Sequence, residues 1–270
     1  MSAVCFPGSC EQSRARRRGV KLFGWAVLAT SLGCSPARAD LPEMVARIKP
    51  SVVLVGVYSP TDSPRFGFRG TGFVVDPGNL VITNAHVLPD SAFSELGKSL
   101  SIQVWSAPSQ WSLRSVKVVA LDRARDLAVL GFEGPAITAL KLATVRPSEG
   151  MGIAFIGFPV GGALGYSHVT HRGIISSIAS MALPTANSHQ LNERAVRQLR
   201  SGNFDIYQLD ATAYPGNSGG PIFNPENGEV VGVINSVLIK GSRETALTQP
   251  SGISYGIPIE HTARLLQNSR

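Results

Sequence analysis

The sequence predicts an all-β protein. Short runs rich in β-branched and aromatic residues recur along the chain, and Gly, Pro or Asn bounds them. Gly (28 residues) and Pro (18 residues) are both abundant, as frequent tight turns require. Strand-like runs do not alternate with long helical segments, which argues against a doubly wound parallel sheet. With 270 residues, 43% of them hydrophobic and 16% charged, the chain suffices for one substantial core or two smaller ones sharing an interface.

Residues 1–39 read as an export signal and stand apart from the fold. A basic stretch from Arg14 to Lys21 precedes an apolar stretch from Leu22 to Leu32, and Ala37-Arg38-Ala39 is an A-x-A cleavage site that would leave Asp40 as the new terminus. Most of the formal net charge of +7 belongs to this segment, which has six basic residues against one acid. Without it the charge no longer argues for a nucleic-acid partner. Cys5, Cys10 and Cys34 all fall inside it, so the mature protein is expected to lack disulfides, thiolate metal ligands and a cysteine nucleophile. No apolar run reaches the roughly 20 residues a membrane span needs, so no stable span is expected after cleavage. The expected location is the periplasm or the outside of the cell. A lipid anchor at Cys34 is the minority reading, because Ser31 stands where such sites usually carry Leu.

Each element of the remainder follows from local pattern. Leu41, Met44, Val45 and Ile48 have helical spacing and Pro50 ends the run. Strands are expected at 52–58, 69–75, 80–83, 101–105, 111–121 and 127–132, forming with the helix a first half, 40–135. A second half, 136–270, has expected strands at 153–157, 168–178, 206–209, 221–223, 230–238 and 253–257. This pattern suits a sandwich or barrels. A helix is expected at 191–200, where Glu193 can pair with Arg197, and another near the C-terminus, where Ile259, Ala263 and Leu266 share one face. The stretch 180–203 has no assigned role beyond a surface insertion.

Chemistry concentrates in three segments. In Gly216-Asn217-Ser218-Gly219-Gly220-Pro221, a serine flanked by glycines permits a tight turn that brings backbone N–H groups close to a reacting carbonyl. Alone, this is as often a plain glycine-rich turn. Serine needs a base to take its proton, and His86, directly after the apolar strand at 80–83, is the candidate. His168, His171, His189 and His261 read as surface or internally satisfied residues. Asp126 opens an apolar strand, where an acid can orient an imidazole; Asp122, beside Arg123 and Arg125, reads as a solvated loop acid.

Four motifs then occur in order: Gly70-Thr71-Gly72-Phe73, Thr83-Asn84-Ala85-His86, Asp126-Leu127-Ala128-Val129-Leu130 and the serine loop. Together with Asp210-Ala211, Gly232-Val233-Ile234-Asn235 and the segment 253–258, they resemble the trypsin-like serine peptidases of the HtrA/Deg branch. The resemblance runs from about Val52 to Leu266. It implies a chymotrypsin-like fold of two perpendicular six-stranded β-barrels with a short C-terminal helix, the whole of 40–270 forming one peptidase domain. It implies a catalytic triad of His86 as general base, Asp126 as orienting acid and Ser218 as nucleophile. The N–H groups of Gly216 and Ser218 would form the oxyanion hole. A substrate pocket with Thr212 at its base and Asn235, Ser236 and Val237 on its wall would favour small or medium apolar side chains. The implied partner is a protein or peptide substrate, with neither metal nor organic cofactor; homo-oligomerisation stays open. Better-known members carry a PDZ domain after the protease, and none is expected within these residues. Where trypsin-type zymogens carry an acid before the serine, this chain has Asn217, so pairing with a freshly cut N-terminus is not expected.

Two rival readings differ in kind. An α/β-hydrolase esterase needs the chain order Ser, acid, His and a helix straight after the serine; Pro221, Asn224, Pro225 and Gly228 leave no room for that helix. A non-enzymatic binding module on a protease scaffold is opposed by the presence of all three triad residues; a latent protein stays open, since a flipped Gly216 peptide would remove one oxyanion donor.

Overall fold

In a computed structural model, which describes residues 40–89, 97–107, 110–161, 165–180, 204–235 and 252–268, the short runs pair antiparallel into two closed six-stranded barrels. The first barrel contains β1 (Val52–Tyr58), β2 (Phe66–Val75), β3 (Leu80–Thr83), β4 (Ser99–Ala107), β5 (Gln110–Asp122) and β6 (Leu127–Phe132), ordered β1-β2-β3-β6-β5-β4 in space. The second contains β7 (Gly152–Gly157), β8 (Val169–Ser180), β9 (Asp205–Asp210), β10 (Pro221–Phe223), β11 (Val230–Asn235) and β12 (Ile253–Pro258), ordered β10-β11-β12-β9-β8-β7. Among the described residues, α1 (Leu41–Ile48) and α2 (Ile259–Gln267) flank them. Asp40 caps α1, its carboxylate accepting the Leu41 N–H at 2.8 Å. The export signal and the helix expected at 191–200 lie outside the described residues.

The alternation of side chains along each strand distributes the apolar residues among three cores. Val53 and Val55 of β1 point into the first barrel with Val74, Val81, Ile102 and Leu130. Their neighbours Val52 and Leu54 point the other way, into a core between the barrels with Phe73, Ile82, Phe158, Phe223 and Val233. Ile153, Phe155, Tyr207, Leu209 and Ile234 fill the second barrel. A strand buried on both faces explains why β1 begins as an unbroken apolar run. Met44 and Ile48 of α1 and Ile259 of α2 also join the central core, so the helices brace the interface between barrels. The connector 133–151 touches both, Leu140 bridging to Val75 and Leu142 to Val230.

Candidate active site

β3 ends at Thr83, and the chain then makes a short 3₁₀ turn, Ala85–Val87, that presents His86. The tight β5–β6 connection meets this turn through Asp126. Asp126 has φ +57°, a left-handed conformation that Asp tolerates better than most residues. Its carbonyl accepts from Ala85 N–H at 3.1 Å and from the Asn84 side-chain amide at 3.0 Å. Its carboxylate grips the histidine twice: Oδ1 accepts the His86 backbone N–H at 2.8 Å, and Oδ2 lies 2.6 Å from His86 Nδ1. With Nδ1 donating to the carboxylate, the other ring nitrogen, Nε2, keeps its lone pair.

Asp122 makes no such contact. Its Oδ1 caps the backbone N–H groups of Ala124 and Arg125, both at 3.0 Å, and its Oδ2 pairs with the Arg125 guanidinium at 2.9 Å. It is a part-buried turn residue rather than the solvated acid the sequence suggested, because the strand ends draw the turn back on itself.

The second barrel contributes the serine loop. Gly216 and Gly219 have φ of +104° and +88°, a backbone open to glycine at little cost. Space forbids a side chain as well: a Cβ on Gly216 would strike the Phe158 carbonyl, and one on Gly219 the Thr71 carbonyl. Gly219 N–H bonds to Ile234 C=O at 3.0 Å, and Ile234 N–H returns a bond to Gly220 C=O at 2.9 Å, fastening the loop to β11. Ser218 is 4% exposed, and its C=O accepts the Thr71 N–H from the first barrel at 2.9 Å. Gly70, next to Thr71, lies between the His86 turn and the serine loop: a Cβ there would touch Val87 on one side and the Ser218 carbonyl on the other.

Three contacts of the site involve roles the sequence did not assign. The Asn235 side-chain amide donates to Asp126 Oδ2 at 2.8 Å, a bond between residues 109 apart in the chain. Expected on a pocket wall, Asn235 instead directs its side chain to the acid. The Asn217 amide lies 3.3 Å from His171 Nε2, and the His171 ring stacks on Phe155 with centroids 4.7 Å apart. Burial holds the His171 pKa below its usual value, which favours the neutral ring, the form that can accept from Asn217. Finally, Thr71 Oγ1 donates to the Gly216 carbonyl at 2.6 Å. The only sequence signal for Thr71 was its place in Gly70-Thr71-Gly72-Phe73; nothing local marked His171.

Of the remaining expected residues, Thr212 lies in the turn after β9. Ser254 steadies that turn, accepting the Ala213 N–H and donating to the Ala211 carbonyl, both at 2.7 Å. Ser236 and Val237 lie outside the described residues, as does His189. His168 is stacked on Trp111 and packed against Phe158, with Nε2 3.2 Å from the Val52 carbonyl. Burial lowers its pKa to about 4. His261, on α2, meets Phe204 edge-on. Among the described residues no cluster of three or more His, Cys, Asp or Glu is arranged to hold a metal ion, and no helix is long and apolar enough to cross a membrane.

Residues 70–233 match the family model described as a trypsin-like peptidase domain. Human "Serine protease HTRA3" is 26% identical over an alignment covering 98% of this chain and 56% of the relative. The "Probable periplasmic serine endoprotease DegP-like" of Chlamydia trachomatis is 32% identical over 72% of this chain and 32% of its own length. Among solved structures, that of Deg5 superposes with a TM-score of 0.58 at 25% identity, covering 83% of this chain and 90% of the other. The chain spans about half the length of the first curated relatives it matches.

Proposed function

Because the chain belongs to the trypsin-like peptidase family, with relatives in the HtrA/Deg branch, we propose that it is a serine endopeptidase that hydrolyses peptide bonds of exported or misfolded proteins through His86, Asp126 and Ser218. The observation that carries this reading is the double grip of the Asp126 carboxylate on His86, through its backbone N–H at 2.8 Å and Nδ1 at 2.6 Å. That grip fixes both the ring orientation and the tautomer a general base needs.

In the proposed mechanism Ser218 Oγ attacks the scissile carbonyl while His86 Nε2 takes its proton. The N–H groups of Gly216 and Ser218 receive the developing oxyanion; one such donor is worth about 3 kcal/mol of barrier. Asp126 stays ionised and stabilises the imidazolium, which then protonates the leaving amine. Water repeats the sequence on the acyl-enzyme, and its proton passes through His86 back to Ser218. The substrate side chain enters a pocket based on Thr212, and the reaction needs no metal or organic cofactor.

A periplasmic or secreted location, reached by cleavage after Ala39, is part of the same proposal. The periplasmic DegP-like relatives support it. The test is turnover of unfolded casein, with labelling by a fluorophosphonate, in wild type and in Ser218→Ala. Loss of both signals in the variant is expected. Casein cleavage that survives Ser218→Ala would overturn the assignment, and binding without turnover by wild type would favour the binding-module reading.

A further inference from the structure

Thr71 belongs to β2 in the first barrel, yet its bonds converge on the serine loop of the second. It is fully buried. Its backbone N–H donates to the Ser218 carbonyl at 2.9 Å, and its hydroxyl donates to the Gly216 carbonyl at 2.6 Å. The same hydroxyl oxygen accepts the Phe158 N–H at 3.2 Å. Its carbonyl takes the Thr83 hydroxyl at 2.7 Å, three residues before His86. One residue thus links the segment bearing the base, the nucleophile and the glycine two residues before it.

The consequence concerns the loop between the Gly216 and Ser218 N–H groups. The Gly216 N–H shares a planar trans peptide with the Pro215 carbonyl and points opposite to it. The Pro215 carbonyl is held by the Val160 N–H at 2.9 Å. On the other side of the Gly216 Cα, the Gly216 carbonyl is held by Thr71. The Val160 bond orients the peptide plane that carries the Gly216 N–H, and the Thr71 bond orients the next plane, Gly216–Asn217. Glycine has wide backbone freedom, so without the Thr71 bond the chain after the Gly216 Cα is free to turn. Val160 itself stands at φ +59°, a conformation a β-branched residue adopts only when its surroundings impose it.

We propose that Thr71 is a positioning residue for the oxyanion loop: its hydroxyl holds the Gly216 carbonyl and its backbone N–H the Ser218 carbonyl, keeping the stretch between the Gly216 and Ser218 N–H groups in place without touching substrate. This rests on the reading of Ser218 as the nucleophile. Removing the hydroxyl should lower stabilisation of the tetrahedral intermediate while leaving ground-state substrate binding largely intact.

The experiment compares wild type, Thr71→Val and Thr71→Ser on a peptide substrate, a peptide boronate and the corresponding product peptide. Thr71→Val keeps the shape and loses the hydroxyl; kcat is expected to fall about tenfold to a hundredfold, less than or equal to full loss of a donor, with KM within about threefold. Boronate affinity should fall in step with kcat/KM while product affinity stays. Thr71→Ser should restore most of both. Should Thr71→Val fail to fold, Thr71→Ala carries the same readouts, since its vacated space admits water to the two abandoned backbone groups. Wild-type activity in Thr71→Val or Thr71→Ala overturns the proposal. So does equal loss in Thr71→Ser, or a parallel loss of product affinity, each of which marks a purely structural role. An inactive wild type unlabelled by fluorophosphonate would instead sink the reading of Ser218, a distinct result.

Discussion

His168 makes stability depend on pH in a calculable way. The ring is packed among Trp105, Trp111 and Phe158 and donates Nε2–H to the Val52 carbonyl. Burial is the chief cause that moves its pKa from 6.5 to about 4. The folded protein therefore resists protonation that the unfolded chain accepts. Between pH 6.5 and 4 the unfolded state binds more protons, so stability rises with pH across that window and is lost as pH falls through it. A shift of about 2.5 units at 1.36 kcal/mol per unit gives about 3 kcal/mol. Replacing His168 by Gln keeps an N–H donor for Val52 and removes the titration. Urea unfolding of wild type and His168→Gln, both in a Ser218→Ala background to prevent self-digestion, would be measured from pH 7.5 to 4. The variant loses packing at every pH, a constant offset. The carboxylates titrate alike in both proteins and cancel. The remaining difference should move by about 3 kcal/mol in favour of the variant as the pH falls. A gap constant to within about 0.5 kcal/mol over that range would refute the argument.

Further outcomes are expected elsewhere. Ser218→Ala and His86→Ala should each cost several orders of magnitude in kcat/KM, and the double variant little more, since triad members act as a unit; additive losses in that cycle would contradict a shared mechanism. Asp126→Asn should be severe because it favours the wrong tautomer. Asp122→Asn, which breaks a part-buried pair with Arg125, should cost about 1 kcal/mol of stability at most and leave peptide turnover nearly unchanged. Met44→Ala, removing a side chain 1% exposed in the central core, should lower stability by about 2–5 kcal/mol in urea unfolding. Proteins beginning at Asp40 and at an added Met-Gly-Ser extension should be equally active, since Asn217 is engaged by the neutral His171 and offers no charge to a new terminus.

The parts of the fold that local pattern governs were legible, and those set by distant contacts were not. β3 and β6 span the residues that their apolar runs predicted. β2 instead begins at Phe66, three residues earlier than expected, because pairing with Tyr58 of β1 draws it out. β5 extends to Gln110 for the same reason, facing Ala107. In the site, His86 and Asp126 announced themselves by standing at strand ends. Thr71, His171 and Asn235 did not, because their roles depend on partners 145, 46 and 109 residues away. His171 read as an ordinary satisfied histidine, and it is satisfied; what the sequence could not convey is that its partner adjoins the serine.

The distribution of functional groups between the barrels has a practical corollary. His86 and Asp126 come from the first barrel and Ser218 from the second, while the connector between them exposes Val145 to 79%. Under the proposed triad, neither half alone carries a complete set of reacting groups. If the proposed activity holds, a chain cut at Val145 would yield two silent fragments whose reunion restores turnover. With each half fused to one member of a binding pair, the protein would then become a split reporter in which substrate turnover counts encounters between the fused partners.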